Sequence, residues 1–194
     1  MTRPIQLGVA LALLTIAAIG TWHSVRAARA QILYFKSKYG ADRHSLDRIL
    51  SNSDTAHRLY PYNYRLCTWA AEAAWYSRYI AGDGELAVRA EAARLWADRG
   101  RELNAYVREL NLVKARYQAD HAIEDAIETW RSYLDIDFWD SFNHAVMVEL
   151  YSRAGRFEEA VAELAWVREP GDRDYAQQAI YKAFDAEVRK LQGD

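Results

Sequence analysis

From Ile5 to Trp22 the chain runs IQLGVALALLTIAAIGTW, eighteen residues without a charge, bracketed by Arg3 and His23. A helix of that length spans roughly 27 Å, enough for a thin hydrocarbon core. Its few polar residues, Gln6, Thr15 and Thr21, make no solvated face. A membrane-inserting segment is therefore expected over 1–22. Behind it the pattern changes, and apolar residues return every three or four positions between breaks at Pro61, Gly82-Asp83-Gly84, Gly155 and Pro170-Gly171. That period predicts helices near 24–39, 45–59, 64–80, 86–103, 107–119, 121–134, 141–154, 156–168 and 173–191, the first continuing the membrane segment up to Gly40. The fold class expected is all-α.

The chain also matches itself at an offset of 34. Val113 meets Met147, Tyr117 meets Tyr151, Ile123 meets Phe157, Ala126 meets Ala160 and Trp130 meets Leu164. Small residues at 126 and 160 suit the place where two antiparallel helices touch, and the large ones fill the space between one hairpin and the next. A repeat of helical hairpins follows from this register.

The segment from Val148 to Ala160, with Tyr151, Ala154, Gly155, Phe157 and Ala160 in place, resembles the end of the first helix, the turn glycine and the start of the second helix in a tetratricopeptide (TPR) repeat. The resemblance is good over 107–170, partial over 64–106 and suggestive over 41–61. It departs from the family at Lys114, Val148, His121, Tyr133, Val167 and Phe138, and about ten additional residues lie around Ser77 to Leu86. What it implies is a TPR-like α-α superhelix, a right-handed solenoid of helical hairpins, behind a single N-terminal transmembrane helix. The organisation expected is an anchor over 1–22, a juxtamembrane degenerate hairpin over 23–61, and repeats over 62–172 (about 62–106, 107–140 and 141–172). A capping helix over 173–194 closes it, with Ala176, Ile180, Phe184, Val188 and Leu191 on one stripe.

The resemblance further implies a concave groove that takes a protein or peptide segment. Its groove positions fall on Arg65, Thr68, Trp69, Glu72 and Tyr76, then on Arg108 and Asn111, and finally on Phe142, Glu149 and Arg153. Arginine and aromatic residues are the types that anchor peptide interfaces. The lysine and asparagine pattern with which some members of the family grip a terminal carboxylate is absent, because Thr68, Glu72, Asn111, Ala115, Ala145 and Glu149 stand at those positions.

Charge narrows the role. A net charge of −2 gives no general attraction to nucleic acid. Residues 1–60 hold eight Lys/Arg against three Asp/Glu, whereas 61–194 hold seventeen against twenty-four, so the sign reverses away from the membrane. Contact of the basic stretch with anionic headgroups is one use of that asymmetry. Arg26, Arg29, Lys36 and Lys38 favour a cytoplasmic domain. A short basic tail before an apolar run resembles a bacterial export signal or signal anchor, which points the other way. Ala28-Arg29-Ala30 offers a signal-peptidase pattern, but Arg26 and Arg29 in the cleavage region favour retention as a single-pass anchor of bacterial inner-membrane type.

Signs of catalysis are few. The loop Asp135-Ile136-Asp137-Phe138-Trp139-Asp140 has three carboxylates without the glycine and distal glutamate of a calcium loop, and it suits the N-terminus of the next helix better. His121 lacks a partner histidine at i+4, and His144 sits on a packing position, expected half-buried. Cys67, the one cysteine, has no neighbouring base and is expected in the core. No metal, cofactor or nucleic acid is expected. The leading expectation is a non-catalytic membrane-tethered adaptor or scaffold for a partner protein. A small accessory subunit or enzyme acting on a membrane or cell-wall substrate is the alternative, and self-association into a homo-oligomer is a third.

Overall fold

The structure, a computed structural model, describes residues 3–80 and 82–192. Among them there is no strand. The helices are α1 (Arg3–Tyr39), α2 (Leu46–Leu59), α3 (Tyr64–Ser77), α4 (Leu86–Leu103), α5 (Arg108–Ala119), α6 (Ile123–Leu134), α7 (Ser141–Arg153), α8 (Phe157–Leu164) and α9 (Pro170–Gln192). Short 3-10 turns follow α1, at Ala41–His44, and lie between α3 and α4, at Arg78–Ile80 and Asp83–Glu85. The helices pack in sequence as hairpins, α1 with α2, α3 with α4, α5 with α6 and α7 with α8, and α9 lies on α7.

Helix α1 runs without a break across residue 22 and has two environments. Leu7, Leu11, Leu14, Ile16, Ile19 and Trp22 are exposed on all sides, and this part is long and apolar enough to cross a membrane. Further on, Ala30 and Tyr34 are buried with Ala56 of α2 and Leu66 of α3. One continuous helix thus supplies both the apolar rod and the first helix of the array.

The core divides into three linked clusters along the chain. Cys67, Ala70, Ala71 and Ala74 of α3 meet Ala93, Trp96 and Ala97 of α4, and Leu110 and Val113 of α5 carry the cluster forward. Gly100 is needed at this junction, because a Cβ there would lie 2.6 Å from Leu110 Cδ1 and 3.0 Å from Cys67 Cβ. The largest cluster joins α5 to α9, with Ala126 and Ala160 fully buried at the helix contacts and Trp130 and Met147 filling the layer between hairpins. Trp130 is 0% exposed and donates from Nε1 to the Asn143 carbonyl at 2.8 Å, so its one polar atom is satisfied inside the core.

Local signals place the helix ends. Ser45, Asn63 and Asp140 accept hydrogen bonds from the backbone N–H of Arg48, Leu66 and Phe142, which makes each of them an N-cap. The acidic loop before α7 therefore includes a capping residue in Asp140. At the other end of α7, Gly155 has φ of +72°, and the Arg156 N–H reaches the Tyr151 carbonyl at 2.9 Å, a Schellman closure that only glycine adopts without strain.

Three ends differ from expectation by three residues or more. Helix α3 stops at Ser77 and passes into a 3-10 turn. Helix α8 stops at Leu164 rather than 168, since Ala165, Trp166 and Val167 bond back three residues and Ser141 Oγ takes the N–H groups of Arg168 and Glu169 at 3.0 Å each. Helix α9 starts earlier, at Pro170, whose missing N–H and fixed φ suit a first helical turn. Its stripe is buried at Ala176 and opens outward, leaving Phe184 and Leu191 exposed.

Candidate functional site

The first helices of successive hairpins, α1, α3, α5 and α7, together with α9, carry two separate clefts. The proximal cleft, nearer the apolar part of α1 and about 460 Å³ in volume, lies between α1, α3 and α5, and Arg65, Thr68, Trp69 and Glu72 line it with Tyr34, Lys38, Tyr39 and Glu109. Lys38 donates to the Tyr34 hydroxyl at 3.1 Å and lies within 6 Å of the Tyr34, Tyr39 and Trp69 ring centres. The hydrogen bond to Tyr34 is the largest influence holding the Lys38 pKa above its ordinary value, against the opposing effect of burial. Burial, then the charge of Glu109, pushes the Glu72 pKa up, and Lys38 opposes both.

The distal cleft, also about 460 Å³, is lined by Trp75, Arg78, Arg116, Asp120, Glu149, Arg153 and Tyr175, among others. A second hollow of about 330 Å³ continues it along α9 past Lys182, sharing Glu149, Arg153 and Tyr175. Asp120, at the end of α5, receives Arg78 at 3.1 Å and Arg153 at 2.9 Å. Glu149 accepts the Tyr175 hydroxyl proton. Arg116 is half-buried, and its Nη2 reaches the same hydroxyl at 3.5 Å. Burial lowers the Arg116 pKa, but Glu149 and Tyr175 outweigh it, and the net direction is upward. Burial, with Glu149 adding to it, raises the Tyr175 pKa. Both groups therefore keep their protons at neutral pH.

The structure distributes the expected groove residues unevenly. Arg65, Thr68, Trp69 and Glu72 come together in the proximal cleft, and Glu149 and Arg153 in the distal one. Between the clefts, Arg108 pairs with Asp140 at 2.8 Å and lies over the Phe142 ring, which stacks on Tyr175. Tyr76 is 51% exposed and lines neither cleft. Asn111 faces the interior: it is 2% exposed, accepts from Arg101 Nε at 2.9 Å, and donates to the carbonyls of Ala105 and Val107. Its amide holds the α4–α5 connection and has no free N–H for a ligand.

Several residues that shape the clefts were not among those expected. Arg78 sits in the turn after α3, Tyr175 on the capping helix, and Arg116 one residue beyond Ala115, the position that the 34-residue offset pairs with Glu149. Lys38 and Phe35 stand 34 residues before Glu72 and Trp69, so the repeat offset itself reaches back into α1. His144 is buried rather than half-buried, at 2%, because Phe138 and Trp166 cover its ring. Its nitrogens face the Glu163 carboxylate at 2.5 Å and the Phe138 carbonyl at 2.6 Å, which ties α7 to α8 and to the loop before it. Cys67 is fully buried, and burial pushes its thiol up to about 11, so it stays protonated and unreactive at neutral pH.

No protein-family model and no curated protein matches this chain. Among solved structures, a thermophilic TPR protein of Thermus thermophilus is similar to it with a TM-score of 0.61, over 94% of this chain and 97% of that one, at 20% identity. The fold is TPR-like. The clefts accordingly lie where the first helices of successive TPR-like hairpins face one another.

Proposed function

We propose that the chain is a non-catalytic, membrane-tethered TPR-like scaffold, with residues 1–22 retained as an anchor in a bacterial inner membrane. It binds a segment of a partner protein along the face carried by α1, α3, α5, α7 and α9. The observation that supports this reading best is the double use of α1. Its first part exposes apolar side chains on all sides, interrupted by Gln6, Thr15 and Thr21, and its last turns bury Ala30 and Tyr34 in the first hairpin. Burying the exposed leucine and isoleucine side chains of the first part in lipid favours insertion by about 1.5–3 kcal/mol for each. With no flexible linker between the rod and the array, insertion also fixes the direction in which the clefts face.

Membrane fractionation combined with in-cell crosslinking tests this. The full-length chain is expected to resist alkaline extraction from membranes, and a Leu11→Arg/Leu14→Arg variant is expected to be released. Photo-crosslinkers placed at Thr68 or Arg153 are expected to trap a protein that one at Glu158, exposed on α8, does not. Extraction of the parent chain, or identical products from all three positions, would overturn the reading.

A further inference from the structure

We infer that the distal cleft receives an acidic segment of the partner, whose carboxylates bind Arg116 and Arg78. This rests on the scaffold reading and names the chemistry of its ligand. Three guanidinium groups, Arg78, Arg116 and Arg153, converge there from the turn after α3, from α5 and from the end of α7. Two carboxylates oppose them, and both are already engaged, Asp120 by two arginines and Glu149 by Tyr175. Lys182 adds a further positive charge where the hollow continues along α9, and it forms no ion pair among the described residues. The cleft is thus net positive within a region, 61–194, that is net negative. That local reversal favours anionic segments over the rest of the surface.

The hydrogen-bonding inventory points the same way. A guanidinium carries five N–H donors. Arg78 gives one contact to Asp120 and lies 4.1 Å from the centre of the Trp75 ring, and its buried Nε has no partner among the described residues. Arg116 has one contact, at 3.5 Å, the outer limit of a hydrogen bond. Donors partly removed from water and left unpaired are costly, and a carboxylate satisfies two of them at once in a bidentate pair. The proximal cleft offers no comparable invitation, since Glu72 and Glu109 line it and Lys38 already occupies its aromatic rings.

The test uses the full chain in a zwitterionic detergent, with fluorescein-labelled octaglutamate as probe, octaglutamine and octalysine as matched controls, and anisotropy as readout. Octaglutamate is expected to bind at least about tenfold more tightly than octaglutamine, and to weaken about tenfold when salt rises from about 0.15 to 0.5 M. Arg116→Gln is expected to lose about tenfold or more, and the surface variant Lys182→Gln about two- to threefold. Glu158→Gln, exposed on α8 and lining neither cleft, is expected to leave the affinity unchanged. Because Arg116→Gln could perturb packing, each variant is compared with the parent by circular dichroism, and Lys182→Gln carries the test if Arg116→Gln loses helix. Equal binding of octaglutamate and octaglutamine, binding indifferent to Arg116 or Lys182, or capture of a phosphoserine peptide with no capture of octaglutamate would each overturn the inference. A partner crosslinked at the membrane without an acidic contact segment would leave the scaffold reading standing and remove this one alone.

Discussion

The two ends of the array are built to one geometry by different means. In the α5–α8 hairpins, large apolar groups such as Trp130, Ile127, Met147 and Leu150 close the interior, and the Trp130 indole N–H is paired inside it, although Asn143 Oδ1 has no partner among the described residues. In the first hairpin the apolar interior is limited to Ala30, Tyr34, Ile49, Ala56 and a few partly buried neighbours, and buried polar side chains stand beside them. Ser37 and Ser53 are fully buried. Asp42, 5% exposed, accepts from Asn52 at 3.0 Å and pairs with Lys36 and Arg48 at 3.2 Å each. One end is therefore held chiefly by close packing, and the other in part by a carboxylate hub, whose contribution depends on pH. The first hairpin, which continues the apolar rod, thus has a titratable joint beside that rod.

Trp130→Ala gives the largest effect. It empties a fully buried site and removes the bond to Asn143, costing about 3–5 kcal/mol, read by denaturant unfolding of the full chain in detergent. Hydrogen exchange is expected to show the loss in α5 to α8 and little change in α2. If α2 loses protection equally, the two ends unfold as one unit and the contrast between them fails.

Asp42→Asn comes next, and its signature is a pH profile. The Asn52 hydrogen bond, helped by Lys36 and Arg48, holds the Asp42 pKa below the ordinary carboxylate range. A lowered folded pKa adds stability above the unfolded value near 3.9 that disappears as pH falls through the folded one. The variant is therefore expected to melt earlier than the parent at pH 7, with the gap closing toward pH 3. A gap that stays constant over that range would show that the hub works by shape and not by charge.

The smallest effect is Glu72→Gln, and its sign is opposite. Burial and Glu109 raise the folded pKa of Glu72, so its ionisation costs stability as pH climbs above the unfolded value near 4.3. The variant is expected to match the parent near pH 4 and to be slightly more stable at pH 7. A less stable variant at pH 7 would mean that Lys38 outweighs burial in the proximal cleft.

The contrast also explains what could be read in the chain. The repeat was plain over 107–170 because its interior is apolar, and apolar positions such as Val113, Met147, Ala126 and Ala160 advertise themselves by spacing. In the first hairpin, Ser37, Asp42 and Ser53 take interior positions that hydrophobic periodicity scores as surface. The same blindness affected the clefts. Thr68, Trp69, Glu72, Glu149 and Arg153 were reached by carrying repeat positions forward, but Asn111 turned inward to serve a loop. Arg78, Arg116 and Tyr175 occupy a turn, an off-register position and the capping helix, where no repeat rule applies.

By itself the sequence determined the helical class, the uncharged rod, the hairpin register and most helix ends, because each depends on residues within a turn or two or on one fixed offset. Only the tertiary structure decided that Ala30 and Tyr34 are where α1 packs on the first hairpin, that Asp42 is a buried hub, and that arginines from three elements meet in one cleft. Those facts depend on how successive hairpins rotate against one another. That rotation is set by the summed packing of many side chains, and no local pattern along the chain contains it.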